Sequence, residues 1–466
     1  MKVLDTIAAI STPRGKGGVA MIRITGEKAF EVADKVFFPK NMIPLKETEA
    51  NKAIYGDIKQ KDSLGTLEKI DDGIAIVYRA PYSFTGENTV EICCHGGILV
   101  TESVLVACLA AGCRQAEAGE FTRRAFISGK MSLSQAEGLG SLLEAKTQSQ
   151  MSLSRGSMEG RLSKALRGFY EEIRELLSGV YAKIDFPDED LSSISDDELL
   201  CRVESIKKRL LKLEKTYKTG RAISEGVRTV ICGKTNAGKS SLYNLIVGRN
   251  AAIVTDIAGT TRDILEQTAA LGSVTLLLCD TAGLRKTDDT VENIGIERTH
   301  DAINSAELIF AVFDASNTLS SEDKDLICEL CENENRSVIA ILNKCDSEIC
   351  ENTINEIKSS FGKYVMMSAK SGEGFDILRK EVEELFNCGE IDLLSDAIVA
   401  SARQHASLLR ALDAVNSACE ALRAGITVDL CGTDLEAAMA ALAEIDGRDV
   451  NDDIISEIFS HFCVGK

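Results

Sequence analysis

Gly233-Lys-Thr-Asn-Ala-Gly-Lys-Ser240 is the stretch from which the fold is read. Before it runs Val227-Arg-Thr-Val-Ile-Cys232, β-branched and apolar as a buried strand is. After it comes Ser241-Leu-Tyr-Asn-Leu-Ile-Val247, helical in spacing and closed by Gly248. A Gly-x4-Gly-Lys-Ser segment between strand and helix turns successive backbone N–H groups inward at a helix N-terminus, a nest suited to phosphate. Lys239 is placed for the β- and γ-phosphates and the Ser240 hydroxyl for Mg²⁺. A chance glycine-rich turn is the alternative, and the rest of the chain decides against it.

Three further segments follow in order, each after a strand-like run. Asp280-Thr-Ala-Gly283 succeeds Val274-Thr-Leu-Leu-Leu-Cys279; Asp280 would hold Mg²⁺ through water, and Gly283 lets its N–H approach a γ-phosphate. Asn343-Lys-Cys-Asp346 ends the run Ser337-Val-Ile-Ala-Ile-Leu342. A carboxylate there accepts both N1–H and the exocyclic amine of guanine, whereas adenine would leave it unmatched. Ser368-Ala-Lys370 follows Tyr364-Val-Met-Met367 and offers backbone N–H groups to guanine O6. The order predicts an α/β domain that binds GTP. Its contacts fall on Asn236, Ala237, Gly238, Lys239, Ser240 and Ser241 in the phosphate loop. Asp280, Thr281, Ala282 and Gly283 follow, then Asn343, Lys344, Asp346, Ser368, Ala369 and Lys370.

Hydrolysis needs an oriented water and a neutralised phosphate. Small GTPases usually place a glutamine directly after Asp-x-x-Gly; Leu284 stands here and cannot hydrogen-bond. The first switch, Ile253-Val-Thr-Asp-Ile-Ala-Gly-Thr-Thr-Arg-Asp263, is rich in hydroxyl and carbonyl oxygens, with contacts expected from Thr255, Asp256, Ile257, Ala258, Gly259, Thr260 and Thr261. With the Asn236 carbonyl these oxygens suit a hard monovalent cation. Alternatively Asn236 shapes the loop and Arg262 or Arg285 donates the charge. Residues alone leave both readings open.

With these segments in view, the chain resembles the tRNA-modification GTPases called MnmE or TrmE, over essentially all 466 residues. Besides 233–241, 253–263 and Asp-Thr-Ala-Gly-Leu-Arg (280–285), the carriers are Ser-Phe-Thr-Gly-Glu (83–87), His-Gly-Gly (95–97), Ile-Asp-Phe-Pro-Asp-Glu (184–189) and Phe462-Cys-Val-Gly-Lys466. The resemblance implies K⁺ held by Asn236, Thr255, Ile257 and Thr260, Mg²⁺ held by Ser240 and Thr261, and Glu292 placing the attacking water. An ordinary solvated helix-start glutamate is the alternative for Glu292. It also implies G domains that meet face to face, a homodimer built through the N-terminal domain, and a partner that is FAD- and NADH-dependent (MnmG/GidA-like), in a heterotetramer. Together they would place an aminomethyl or carboxymethylaminomethyl group on C5 of a tRNA wobble uridine. The one-carbon donor would be a tetrahydrofolate derivative, in its 5,10-methylene or 5-formyl form. By position, folate contacts fall on Arg23, Glu91, Lys130 and Lys466. A pterin needs a carboxylate facing its N–H donors and a glutamate tail needs cations; surface ion pairs for Arg23 and Lys130, and a buried paired Glu91, are the alternatives. Cys463, in a tail read as flexible, is either a reactive thiol able to attack a uracil or a helix-terminal cysteine packed away.

Length, 466 residues, calls for several domains. Residues 1–125 mix strand and helix patterns, an α+β reading that is folate-binding and dimerising by resemblance. Residues 126–222 and 389–466 read as one α-helical domain, with helices expected over Ser395–Ala424, Asp434–Ile445 and Asp452–Phe462. The α/β P-loop GTPase domain, 223–388, is inserted between its two parts. No apolar run reaches 18 residues and no signal segment opens the chain, so a cytoplasmic protein without a membrane span is expected. Fifteen scattered cysteines read as reduced thiols; a metal at Cys328-x-x-Cys331 with Cys345 and Cys350 is conceivable but unsupported by a second such pair. Net charge of −19 argues against strong autonomous grip on tRNA and for a more basic partner, although Arg123-Arg124 and Arg161 to Arg167 are local basic clusters. A ribosome-assembly GTPase switch without covalent chemistry is the rival reading. It usually carries a basic RNA-binding appendage, which this acidic chain lacks.

Overall fold

The computed structural model describes residues 5–61, 65–185, 195–249, 266–279, 303–332, 336–425, 428–448 and 450–465. Its contacts divide the chain into two compact units, Met1–Gly140 with Asp446–Lys466, and Ser141–Ile445.

In the first unit seven strands form one sheet: β1 Ile7–Ile10, β2 Val19–Thr25, β3 Phe37–Pro39, β4 Ala53–Lys61, β5 Leu67–Tyr78, β6 Thr89–His95 and β7 Arg114–Gln115. The order is β3-β4-β5-β6-β2-β1-β7, antiparallel throughout except between β1 and β7. Alternation assigns the faces. Ala20, Ile22 and Ile24 of β2 share a core with Val90, Ile92 and Cys94 of β6 and with Phe30, Val104 and Cys108 from helices Ala29–Val36 and Ile98–Ala110. Arg23, lying between two of those positions, therefore falls on the opposite face, in register with Glu91. Each large apolar side chain buried in that core contributes about 1.5–3 kcal/mol, so packing rather than the Arg23–Glu91 pair holds the sheet.

The tail is not the flexible segment expected. After the helix Asp452–Ser460, which buries Ile455 and Phe459 against Leu133 and Ala136, Val464 forms an antiparallel bridge with Ala118. The Ser11 hydroxyl donates to the Gly465 carbonyl at 3.0 Å. A Cβ at position 465 would lie 2.1 Å from the Ile10 carbonyl oxygen, so only glycine allows this approach.

The second unit joins a helical bundle to a doubly wound sheet. Helices Arg161–Asp185, Asp196–Ser224, Ala402–Arg423 and Val428–Ile445 share one core that includes Ile173, Val203, Leu210, Leu408 and Leu435. The third helix starts at Ala402, with the Ser401 side chain accepting from the Gln404 N–H as its cap. The expected start at Ser395 is corrected. Asp392 and Asp396 close a turn there, and the Val399 N–H and Ala400 carbonyl are taken by the Thr216 and Ser224 hydroxyls.

Between those helices in sequence come β8 Val227–Cys232, β9 Glu266–Leu271, β10 Val274–Cys279, β11 Leu308–Asp314, β12 Ser337–Asn343 and β13 Tyr364–Met366. Their order is β13-β12-β11-β8-β10-β9, parallel but for β9. Val227 and Ile231 of β8 share one core with Leu242, Ile246 and Leu378, while Val230 and Cys232 share another with Leu330 and Ile357. Both faces are covered, which is why these strands read as unbroken apolar runs. The chain thus combines an α+β part, a helical part and an α/β part. In the last, β8 lies between β11 and β10, and a sheet of this kind binds ligands at the carboxyl ends where strand order reverses.

Candidate functional site

The phosphate loop occupies that switch point. Asn236 is exposed at φ 66°, a left-handed conformation, and Gly238 stands at φ 105°. A Cβ on Gly238 would come within 1.9 Å of Asn343 Nδ2, so the glycine is needed for the loop to meet its neighbour. Helix Lys239–Arg249 begins at the loop's last lysine. Lys239 Nζ donates to the Gly233 and Lys234 carbonyls, each at 2.7 Å, which keeps the ammonium inside the loop's curve. Ser240 and Ser241 are exposed at the helix start, where the unpaired N–H groups and the helix dipole both favour an anion.

Asn343 is a brace rather than a free recognition group. It is 3% exposed; its Nδ2 donates to the Ala237 carbonyl at 2.8 Å and its Oδ1 accepts from the Ala369 N–H at 2.8 Å. One buried amide thereby ties the phosphate loop to the Ser368-Ala369-Lys370 loop. Asp346, three residues on, is exposed, and a hydrogen bond from Ser368 holds its carboxyl below the usual range. Lys344, at φ 67°, pairs with Asp314 at 2.6 Å. Burial alone would raise the Asp314 carboxyl, but hydrogen bonds from Lys344 and Ser316 outweigh it and hold the group down at about 2. Sequence reading missed Asp314. In the sequence it is one aspartate after an apolar run, with nothing to mark its pairing with Lys344.

Thr255, Asp256, Ile257, Ala258, Gly259, Thr260 and Thr261 lie outside the described residues, as do Asp280, Thr281, Ala282, Gly283, Glu292 and Lys466. Strand β10 ends at Cys279, one residue short of Asp280.

In the first unit, Arg23 and Glu91 face each other across β2 and β6. Arg23 Nε donates to Glu91 Oε1 at 2.8 Å, and the Tyr78 hydroxyl donates to Glu91 Oε2 at 3.1 Å. Burial and the Glu91 charge push the Tyr78 phenol up. The guanidinium lies between the rings of Phe84 and Phe121, 5.7 and 5.6 Å from their centroids. Glu91 is thus the buried paired carboxylate weighed above, with Arg23 as its partner. Among the described residues Lys130 has no ion-pair partner; its ammonium donates to the Pro81 carbonyl at 3.0 Å. The Cys463 thiol is exposed, and its carbonyl accepts from the Gly119 N–H at 3.4 Å. Arg124 is 2% exposed and encircled by Asp5, Glu87 and Glu120, so it is no part of a solvated basic patch. Among the described residues no group of three or more metal-ligating side chains gathers, and Cys328 and Cys331 are exposed.

Two family models match: the MnmE helical domain over residues 133–463 and the GTP-binding protein TrmE N-terminus over residues 6–130. Along its length the chain is 37% identical to the tRNA modification GTPase MnmE of Acetivibrio thermocellus, covering 99% of both chains. The chain belongs to the MnmE family of tRNA modification GTPases. The Clostridioides difficile MnmE is 38% identical, covering 100% of each chain. A solved structure of Aquifex aeolicus Era bound to GDP·AlF4⁻ is 24% identical over 40% of this chain and 66% of that one, at a TM-score of 0.28.

Proposed function

We propose that this protein hydrolyses GTP in the crevice at the carboxyl ends of β8, β10, β11 and β12, and that it does so in the service of tRNA wobble-uridine modification. The observation that supports this most directly is the Asn343 brace, which holds the phosphate-binding and base-binding loops at one spacing. Lys239 would neutralise the β/γ-phosphates, Asp346 would read guanine, and Ser368-Ala369-Lys370 would face O6. Ser240 and Thr261 would hold Mg²⁺. The donor set fits K⁺, since Asn236 presents an exposed amide at the mouth of the loop; Thr255, Ile257 and Thr260 would complete the shell. A bound K⁺ would supply positive charge where Leu284 supplies no hydrogen bond. Glu292 would orient the water, and paired G domains would order the switch.

At the other site, a buried carboxylate between an arginine and a phenol, with Phe84 and Phe121 against the arginine, would face the donor edge of a reduced pterin. Arg23, Glu91, Lys130 and Lys466 would hold that tetrahydrofolate derivative, which supplies the one-carbon unit when bound. Cys463 would act as a reactive thiol there. The division into 1–125, 126–222, 223–388 and 389–466, a homodimer through the first part, an FAD-dependent partner and a cytoplasmic setting belong to the same reading. Among the described residues no helix is long and apolar enough to cross a membrane.

The test is hydrolysis by the full chain in K⁺ and in Na⁺, with and without 5-formyltetrahydrofolate. We expect turnover in K⁺ to exceed that in Na⁺ at least tenfold, a barrier difference of about 1.4 kcal/mol. Equal rates would remove the cation from the mechanism while leaving GTP binding intact.

A further inference from the structure

We propose that Asp314 is a positioning residue for guanine-nucleotide binding, acting through Lys344. Asp314 ends β11, in register with Asn343 on β12. Its Oδ2 accepts from Lys344 Nζ at 2.6 Å and from Asn317 Nδ2 at 3.0 Å. Its Oδ1 accepts from the Ser316 N–H at 3.0 Å and the Ser316 hydroxyl at 2.6 Å. Four donors fix the plane of the carboxylate, whose side chain is 20% exposed against 36% for that of Lys344, so geometry more than burial holds the pair.

The partner is held at its other end as well. Lys344 stands at φ 67° between the buried Asn343 and the segment leading to Asp346. A non-glycine residue keeps that conformation only where its surroundings impose it. Anchored at its backbone by the brace and at its ammonium by Asp314, the four-carbon stem has little rotamer freedom left to lose. It becomes an ordered apolar edge beside the place where Asp346 would hold a purine. A flat base docking on a preordered stem avoids the entropy cost of freezing a free lysine. Asp314 touches no nucleotide itself; removing it would free the stem and leave Asp346 in place.

This inference rests on the guanine-nucleotide reading of the crevice, and the experiment separates the two. Equilibrium binding of fluorescent GDP and of a non-hydrolysable fluorescent GTP analogue is measured for the full-length protein, Asp314→Asn, Lys344→Met and the double variant. Asp314→Asn is expected to weaken both nucleotides by the same factor, about tenfold, because the base is common to both and the γ-phosphate is remote. In the Lys344→Met background the same change is expected to cost nothing further. Wild-type affinity in Asp314→Asn overturns the proposal, and so does an undiminished loss in the Lys344→Met background, which would mean that Asp314 acts only through its Ser316–Asn317 turn. Should Asp314→Asn fail to fold, Asp314→Glu keeps the charge and displaces it by one methylene; a loss of about threefold supports the proposal and unchanged affinity overturns it. If the unmodified protein binds neither nucleotide, the guanine-nucleotide reading falls first.

Discussion

Asp346 and Asn343 sit three residues apart and do different work. On the proposed reading the exposed carboxylate selects a base, while the buried amide holds two loops at one distance. Asp346→Asn exchanges an acceptor pair for an acceptor and a donor, so GTP is expected to bind about 10²-fold more weakly while xanthosine triphosphate gains, measured by competition against a fluorescent nucleotide. Unchanged preference for GTP would disprove the assignment. Asp314 makes a second prediction. Its carboxyl lies lower folded, at about 2, than at its ordinary 3.8. The stability it contributes is therefore complete above pH 4 and lost as pH falls towards 2, at most about 2 kcal/mol. Urea unfolding of the full chain against Asp314→Asn should converge over that window and differ above it. The phosphate-loop and Asn343-Lys-Cys-Asp346 segments stood out in the sequence because phosphate and guanine chemistry demand particular side chains at particular spacings. Asp314 was not, since one aspartate after an apolar strand is indistinguishable from a turn residue until Lys344 is seen to face it.

Among the elements, the β9–β10 hairpin links the segment before Glu266 to the segment after Cys279, and two of the hydrogen bonds that moor it lie at or beside its turn. The Ser273 N–H donates to Glu383 Oε1 at 2.9 Å, and the fully buried Thr275 hydroxyl donates to the Ile223 carbonyl at 2.9 Å, at the end of helix Asp196–Ser224. Thr275→Val keeps the shape and strands that carbonyl. We expect a loss of about 1–3 kcal/mol, read as a lower urea midpoint with an unaltered m-value. No loss would mean that the carbonyl has another partner. Strand β11 precedes none of the nucleotide motifs and went unread; the equally apolar β8, β10 and β12 were plain in the sequence because burial on both faces leaves mostly apolar residues. The start of the helix at Ala402 was not, because Ser395–Ala400 carries helical residues whose backbone groups are claimed by Thr216 and Ser224, about 180 positions earlier in the chain.

At the scale of the molecule, the proposed reading puts GTP chemistry and one-carbon chemistry in different compact units. Replacing Cys463 by serine should therefore stop wobble modification, followed by mass analysis of tRNA nucleosides, while GTP turnover stays at the wild-type rate. Retained modification would leave the thiol a structural role. Net charge of −19 and the enclosure of Arg124 by three carboxylates both argue against a strong grip on a polyanion by this chain alone.

The bridge between Ala118 and Val464, with Gly465 seated on Ile10, also has a bearing on biogenesis. A ribosome delivers Ile10 and Ala118 hundreds of residues before Val464 and Gly465. The unit whose strands are made first thus receives these contacts late, and a chain cut short ahead of residue 464 would lack them.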